Sequence, residues 1–229
     1  MNAPLEPQLA LLQLSDSLFP SGAFTHSYGL EQLVRDGVVR TPAQVEAFVT
    51  SLLRGVLATA DAPSCYRAAR ALRDGDLEAL IETDRAFFRT KAAEELRNAA
   101  VAVGRRQVEE MALYVEDAVL QRYLSAIRAD RTLGGQPVAF GAVCGALGVE
   151  SRAAVAALLL NTVNGLLQAS MKLLPTSHRD VQAILHGLRP EIASIAASVE
   201  VETRLLSFHP MQEIASMRHA EATARMFAS

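Results

Sequence analysis

The chain has 229 residues, a length that suits one large domain or two small ones. Half of its residues are hydrophobic and its net charge is −3, so it can form a substantial core but offers no electrostatic case for binding nucleic acid or an anionic membrane. Its two cysteines, Cys65 and Cys144, are far apart, form neither a disulfide framework nor a metal pair, and indicate a reducing compartment. The N-terminal residues lack the pattern of a signal peptide, so we expect a cytoplasmic protein.

The first unusual segment in chain order is residues 15–31, SDSLFPSGAFTHSYGLE, which we call the N-terminal loop. It lies between two helical patterns and has the composition of a turn, because Pro20 restricts the backbone while Gly22 and Gly29 permit unusual conformations. Its aromatic content is unlike that of an ordinary polar connection. Phe24 follows soon after a glycine and has no charged neighbour, so it is either a core residue or an exposed interface anchor.

Helical periodicity dominates the rest of the chain, and no stretch alternates with the period of a strand. We therefore predict an all-α fold with a single domain over residues 1–229. Thr41 and Ser151 stand where helix N-caps are expected, and Pro175 is expected to end a helix. The predicted helices cover residues 42–56, 61–73, 77–88, 91–111, 115–129, 151–174, 178–188, 190–206 and 210–227, with short helices on either side of Gly148.

The longest apolar segment, residues 153–171, has no charged side chain and is long enough to suggest a membrane span. We predict a buried helix instead, because the segment carries several polar side chains. This helix has a polar stripe along one side, at positions i, i+3, i+7 and i+11, formed by Asn161, Asn164, Gln168 and Lys172. The polar stripe is either a thin edge that faces solvent or the lining of a water-filled passage or of a helix–helix contact in an oligomer.

Three of the six methionines lie in the C-terminal tail, residues 210–229. Methionine suits adaptable binding surfaces, and the tail also contains arginine, a residue type enriched at interfaces. We predict one helix, which either docks on its own domain or stays mobile until a partner orders it. The candidate partner-binding residues of the tail are Met217, Arg218, Arg225, Met226 and Phe227.

The residue patterns of enzyme active sites are missing from this sequence. It has no phosphate-binding loop, no dinucleotide-binding glycine motif, no CxxC pair and no two histidines at i, i+4 spacing, so we predict no metal or other cofactor. His26 and Tyr28 could act as acid or base, but we favour a role in fixing the N-terminal loop through hydrogen bonds. We therefore predict that the protein is not an enzyme. A helical enzyme of unrecognised type and an effector-binding regulator are the alternatives.

Five segments in order resemble the urease accessory protein UreF family. The N-terminal loop is the first, and each of the five is a weak signal alone. Together they span most of the chain, and their common order makes the resemblance specific. The other four are ELRNAAVAVGRRQ at 95–107, QPVAFGAVCGALGV at 136–149, QASMKLLPTSHRDVQ at 168–182 and SMRHAEATARMFAS at 216–229.

The resemblance implies an all-α homodimer that binds UreD, called UreH in some species, and that recruits the GTPase UreG with it. The assembly helps to place nickel in the active site of the urease apoprotein, and the C-terminal tail becomes ordered when UreD binds. By position, the resemblance assigns partner-holding roles to Phe24 and Arg225 and gives the polar stripe a use in a nickel passage. Phe24, His26 and Tyr28 are accordingly the candidate partner-binding residues of the N-terminal loop. No nucleic acid or membrane is expected as a partner.

Overall fold

A computed structural model of the chain describes residues 5–16 and 18–228. All regular structure within these residues is helical, which confirms the predicted all-α fold. Residues 1–4, Ser17 and Ser229 belong to the predicted domain, loop and tail but lie outside the described residues. The α-helices are α1 (Leu5–Ser15), α2 (Leu30–Arg35), α3 (Pro42–Leu52), α4 (Ala62–Arg73), α5 (Leu77–Phe88), α6 (Glu94–Met111), α7 (Ala118–Arg128), α8 (Gln136–Ala146), α9 (Ser151–Leu173), α10 (His178–Ser198) and α11 (Pro210–Ala220).

The centre of the core is formed by α4, α8 and α9, and glycines let two of these helices approach closely. A Cβ atom on Gly141 would overlap the Cys65 carbonyl oxygen, and one on Gly145 would lie 2.7 Å from the Ala69 carbonyl oxygen. Because glycine has no side chain, the backbone of α8 lies directly on α4. By length and composition α9 could cross a membrane, but it packs against α4, α8 and α10, as expected of a buried helix.

Helix ends follow the predicted capping chemistry in part. Thr41 Oγ1 accepts a hydrogen bond from Gln44 N at 3.3 Å, as predicted for the start of α3. The prediction that Ser151 caps α9 is wrong. Glu150 is the cap, because its longer side chain reaches back to Ala153 N at 2.9 Å, while Ser151 is the first helical residue.

The connection between α3 and α4 differs from the predicted break. Residues Leu53–Asp61 are π-helical and join the two helices without interruption. The carboxylate of Asp61 accepts from Lys91 Nζ at 2.9 Å, and both side chains are largely buried. Burial raises the pKa of Asp61, and the charge and hydrogen bond of Lys91 oppose that effect.

The end of the chain also departs from the predicted helices. Pro190 was expected to begin a helix, but α10 continues through it to Ser198. Pro190 is exposed, so water can satisfy the carbonyl group that loses its helical partner. Residues 199–206 are not helical, contrary to the prediction, and Arg67 of α4 donates to the carbonyl groups of Val201 and Thr203 in this segment.

Candidate partner-binding site

The N-terminal loop is shaped by three residues with positive φ angles. Gly22 and Gly29 have φ angles of 75° and 88°, and Tyr28 has a φ angle of 53°. A positive φ is uncommon for a residue other than glycine, so the contacts around Tyr28 must hold its backbone in place. At Gly29 a Cβ atom would lie 3.3 Å from Ala215 Cβ, which shows that the loop packs directly on α11.

The aromatic residues of the loop divide into exposed and enclosed groups. Phe24 exposes 62% of its surface, so the structure resolves the sequence alternatives in favour of an exposed ring. His26 is buried, and the Tyr28 hydroxyl donates to Gln136 Oε1 at 3.2 Å. Burial lowers the pKa of His26 and raises the pKa of Tyr28, so both side chains are uncharged near neutral pH. The Tyr28 contact fixes the loop, whereas the Phe24 ring remains exposed.

The C-terminal tail lies beside this loop. Helix α11 ends at Ala220 rather than at residue 227, so the predicted length of the last helix is wrong. Residues 221–228, which we call the tail end, return to the N-terminal loop, where Ala228 N donates to the Thr25 carbonyl oxygen at 2.7 Å. The predicted mobility of the C-terminal helix is not confirmed, because α11 packs on α2 and α6. The loop and the tail together form one continuous surface.

A buried ionic cluster, formed by Glu31, Glu95 and His219, joins the tail to the rest of the fold. The His219 side chain has no exposed surface; its Nδ1 lies 2.9 Å from Glu95 Oε1 and its Nε2 lies 3.1 Å from Glu31 Oε2. Arg225 Nη1 approaches the same Glu95 oxygen at 3.2 Å from the solvent side. Since α2, α6 and α11 each contribute one member, the cluster fixes the mutual position of these three helices.

Glu31 also holds the backbone of the tail end. Its Oε1 accepts from Met226 N and its Oε2 from Phe227 N, both at 2.9 Å. Burial alone would raise the pKa of Glu31, but the hydrogen bonds from these two amides and from His219 outweigh burial and lower that pKa. The ionised carboxylate thus satisfies consecutive amide groups that belong to no helix.

The predicted tail residues are not all available to a partner. Met217 and Met226 are exposed, and Arg218 is exposed while its Nη1 pairs with Asp36 Oδ2 at 2.7 Å. Phe227, which was also a candidate partner-binding residue, is buried. Its ring lies 5.5 Å from Lys172 Nζ, so this end of the polar stripe contacts the tail end.

The other three residues of the polar stripe line a cleft beside the N-terminal loop. Asn161, Asn164 and Gln168 face a space of about 110 Å³ that is also bounded by Phe24 and Gln107. Asn161 Nδ2 donates to Ser15 Oγ at 3.1 Å. Gln107 is buried, and its Oε1 has no hydrogen-bond partner among the described residues. Such an atom needs water or another polar group, so the cleft is a hydrated space.

A smaller cavity of about 30 Å³ lies further inside and shares part of its wall with this cleft. Tyr28, Gln136 and Thr162 border both spaces, and the Asp61–Lys91 ion pair borders the inner one. The inner volume is sufficient for one or two water molecules. Polar groups therefore run from the surface near Phe24 to a buried ion pair.

The buried ionic cluster was not identified in the sequence, although each of its members lies in a segment that carried the family resemblance. Glu31 ends the N-terminal loop, Glu95 begins the segment at 95–107, and His219 lies in the segment at 216–229. The resemblance marked these three segments as important for the family, but it did not predict that they contact one another in the folded chain. Among the described residues, no group of three or more His, Cys, Asp or Glu side chains is arranged to hold a metal ion.

Comparisons with known proteins agree with these observations. The UreF family model matches residues 39–189. The chain is 33% identical to the urease accessory protein UreF of Trichodesmium erythraeum (strain IMS101), with all of both chains covered. It is 33% identical to the UreF of Paenarthrobacter aurescens (strain TC1), over 97% of this chain and 98% of the relative. It is also 32% identical to urease accessory protein UreF 2 of Brucella canis, over 96% of this chain and 90% of the relative.

These matches define the class of protein first. An all-α chain that aligns with urease accessory proteins along nearly its whole length is an accessory protein of urease. More particularly, the chain belongs to the UreF family, as the resemblance predicted.

Proposed function

We propose that the protein is a scaffold for urease maturation that binds UreD or UreH and recruits the GTPase UreG for nickel insertion into the urease apoprotein. Membership of the UreF family supports this role. We further propose that the surface formed by the N-terminal loop and the C-terminal tail binds these partners. The observation that carries this location is the hydrogen bond from Ala228 N to the Thr25 carbonyl oxygen at 2.7 Å, which joins the two segments beside the exposed Phe24.

The chemistry of this surface suits protein recognition. Phe24 and Met226 expose 62% and 63% of their surfaces, and the Arg225 side chain is 42% exposed. Aromatic residues, methionine and arginine are enriched at protein interfaces, and an exposed aromatic ring is a typical anchor. The positive φ of Tyr28 supports the same location, because backbone strain is concentrated at functional sites.

The polar cleft supports a second part of the proposal. Asn161, Asn164 and Gln168 line a hydrated space that begins beside Phe24, so a polar passage would open at the partner-binding surface. We propose that nickel moves along this passage as cargo within the assembly. Lys172 lies with Asn164 and Gln168 around a neighbouring space and also contributes to the docking of the tail end, because its ammonium group lies over the Phe227 ring.

The remaining parts of the proposal follow from the family. We expect a cytoplasmic homodimer that has no catalytic activity of its own. The isolated protein should release no phosphate from GTP and should bind no nickel tightly, which a phosphate-release assay and equilibrium dialysis measure.

Replacement of Arg225 tests the partner-binding surface most directly. Arg225→Ala should leave the melting temperature nearly unchanged, because a partly exposed ion pair contributes about 0–1 kcal/mol. It should weaken capture of UreG by the complex with UreD roughly thirtyfold, the effect of losing about 2 kcal/mol at an interface. Arg152→Ala is the matched control, since Arg152 is an exposed arginine roughly 30 Å from Lys172 along α9.

Phe24→Ala should give the same loss of capture with little loss of stability, because the ring is exposed. The control is Phe208→Ala, which removes another exposed ring that precedes α11. A pull-down of the three proteins and a thermal melt measure both effects. Normal capture of UreG by both Arg225→Ala and Phe24→Ala would show that the partners bind elsewhere.

A further inference from the structure

The buried ionic cluster contains an unusual arrangement of hydrogen-bonding groups. His219 is completely buried, and each of its two ring nitrogens faces a carboxylate oxygen, at 2.9 Å from Glu95 and 3.1 Å from Glu31. A neutral imidazole has one N–H donor and one lone pair, whereas a protonated imidazolium has two donors. Two carboxylates can therefore both be satisfied only if the cluster holds one additional proton.

The surrounding donors show where this proton lies. Both oxygens of Glu31 accept from N–H groups, namely those of Met226 and Phe227. Both oxygens of Glu95 also accept hydrogen bonds. Oε1 accepts from Arg225 Nη1, and Oε2 accepts from the Ser216 hydroxyl. Several N–H and O–H donors directed at a carboxyl group stabilise its ionised form, so both glutamates are placed as carboxylates. The proton therefore belongs on the imidazole ring.

We propose that His219 is a doubly protonated imidazolium that bridges two carboxylates, and that this proton latches the C-terminal tail onto the N-terminal loop. Loss of the proton would leave a lone pair of His219 opposite a carboxylate oxygen inside the protein, where repulsion is poorly screened. Glu31 would then no longer be held in place, and its hydrogen bonds to the amides of Met226 and Phe227 would be lost. The tail end docks when the proton is bound and is released when it leaves.

Charged groups reach the cluster from every helix and segment that packs around it. Arg35 and Arg225 approach from the solvent side, where water screens them, so the imidazolium is the only fully buried positive group among the described residues of the cluster. Asp36 and Arg218 pair with each other on the outer face. The titratable and charged groups around His219 are Glu31 and Arg35 from α2, Asp36 just after α2, Glu94 and Glu95 from α6, His26 from the loop, Arg218 from α11 and Arg225 from the tail end.

Two other histidines near the tail do not produce the same pH dependence. Burial lowers the pKa of His26, with Glu95 opposing burial and Arg106 adding to it. Burial also lowers the pKa of His209, whose Nδ1 must be unprotonated to accept from Gln212 N at 3.1 Å. Because both pKa values are lowered, both rings are mainly neutral at pH 7 and cannot produce a large change in charge between pH 7 and 9.

The sign of the effect follows from proton linkage. The docked tail holds one proton that the released tail does not, so docking weakens as the pH rises. One linked proton changes the docking constant by at most about tenfold per pH unit. The proton-dependent docking of the tail end is a property of the isolated chain. If the docked tail end also helps to capture UreD and UreG, that use of the latch rests on the proposed function.

The first test observes the ring nitrogens of the wild-type protein. Long-range nitrogen–proton NMR correlation at pH 7 should show both His219 nitrogens protonated, with the signals assigned by their loss in His219→Gln. The exposed His186 gives a reference signal from the same sample. An unprotonated His219 nitrogen at pH 7 would overturn the proposal, and the protonation state itself is read in the wild-type protein.

The second test follows tail docking with a fluorophore attached at Ala228→Cys, where labelling is selective because Cys65 and Cys144 are buried. Anisotropy should fall between pH 7 and 9 as the tail end is released. His219→Gln should weaken docking about ten- to a hundredfold at pH 7, the effect of losing charge-assisted hydrogen bonds, and should remove the pH dependence. His186→Gln is the matched control and should behave as wild type.

The proposal would be wrong if the anisotropy of the labelled protein with His219 intact stayed constant between pH 7 and 9. It would also be wrong if the His219→Gln variant kept the same pH dependence. Either result concerns the isolated chain and leaves the proposed function standing. If the wild-type protein shows the pH-dependent docking but does not bind UreD and UreG, the proposed function is wrong and the latch stands.

Discussion

Two nonhelical segments of this protein are each held by a buried carboxylate, but with different consequences. Asp84 accepts from the Thr132 hydroxyl and from the amides of residues 133–135, and thereby fixes the turn between α7 and α8. Glu31 accepts from two consecutive amides of the tail end. In both places a carboxylate replaces the backbone hydrogen bonds that a helix would supply.

The two segments differ in what surrounds the carboxylate. The turn at Asp84 is embedded in the core, since a Cβ atom on Gly135 would lie 2.8 Å from Phe87 and one on Gly104 would overlap the Gly134 carbonyl oxygen. The tail end is at the chain terminus, and the other partners of its carboxylate are ionisable. The same hydrogen-bonding device thus secures a turn within the core in one region and, in the latch that we propose, a segment that can detach in the other.

A large loss of stability should come from Asp84→Asn. An asparagine has one acceptor oxygen, and its amide group would face buried N–H groups, so we expect a loss of about 3 kcal/mol or more. For a protein of this size that loss lowers the melting temperature by roughly 6–12 °C. Glu31→Gln should cost about 1 kcal/mol globally, because the tail end can detach while the core stays folded. Equal thermal shifts in the two variants would contradict the distinction.

A matched pair of phenylalanine substitutions makes the same comparison through packing instead of hydrogen bonding. Phe87 and Phe227 are both buried, at 1% and 5% exposure. Phe87→Ala should cost about 3–5 kcal/mol, as expected for a cavity in the core. Phe227→Ala should lower the melting temperature by only a few degrees, roughly the effect of 1 kcal/mol, and should remove hydrogen-exchange protection from the tail end. A large global loss from Phe227→Ala would show that the tail is part of the core.

The sequence predicted local features of the fold well because they depend on neighbouring residues. Helix α5 spans the predicted residues 77–88, with Asp76 as its cap, and α9 ends before Pro175. Predictions failed where distant contacts override local preference. Pro190 lies inside α10, and the segment after that helix is nonhelical and is tied to α4 by the hydrogen bonds from Arg67 to its carbonyl groups.

The candidate site shows the same limit. The composition of the N-terminal loop indicated its importance, and the exposure of Phe24 was one of the two alternatives. The pairing of Glu31 with His219 joins residues that are 188 positions apart, and no periodicity encodes it. Similarly, the sequence placed Lys172 with the polar stripe by helical spacing, but only the folded chain brings it onto the Phe227 ring.

The smallest effect on stability should come from Asn164→Leu, which tests the polar passage rather than either carboxylate. Asn164 is partly buried beside the cleft and makes none of the hydrogen bonds that hold the loop or the tail, so its melting temperature should change by about 2 °C or less. If the cleft conducts nickel within the assembly, a leucine there removes a polar group from its wall and should reduce urease activation. The control is Gln13→Leu, the same kind of change at an exposed position on α1. Activation and capture of UreG are measured together: reduced activation with normal capture supports a passage, whereas full activation by Asn164→Leu would leave the cleft as a hydrated edge of the fold.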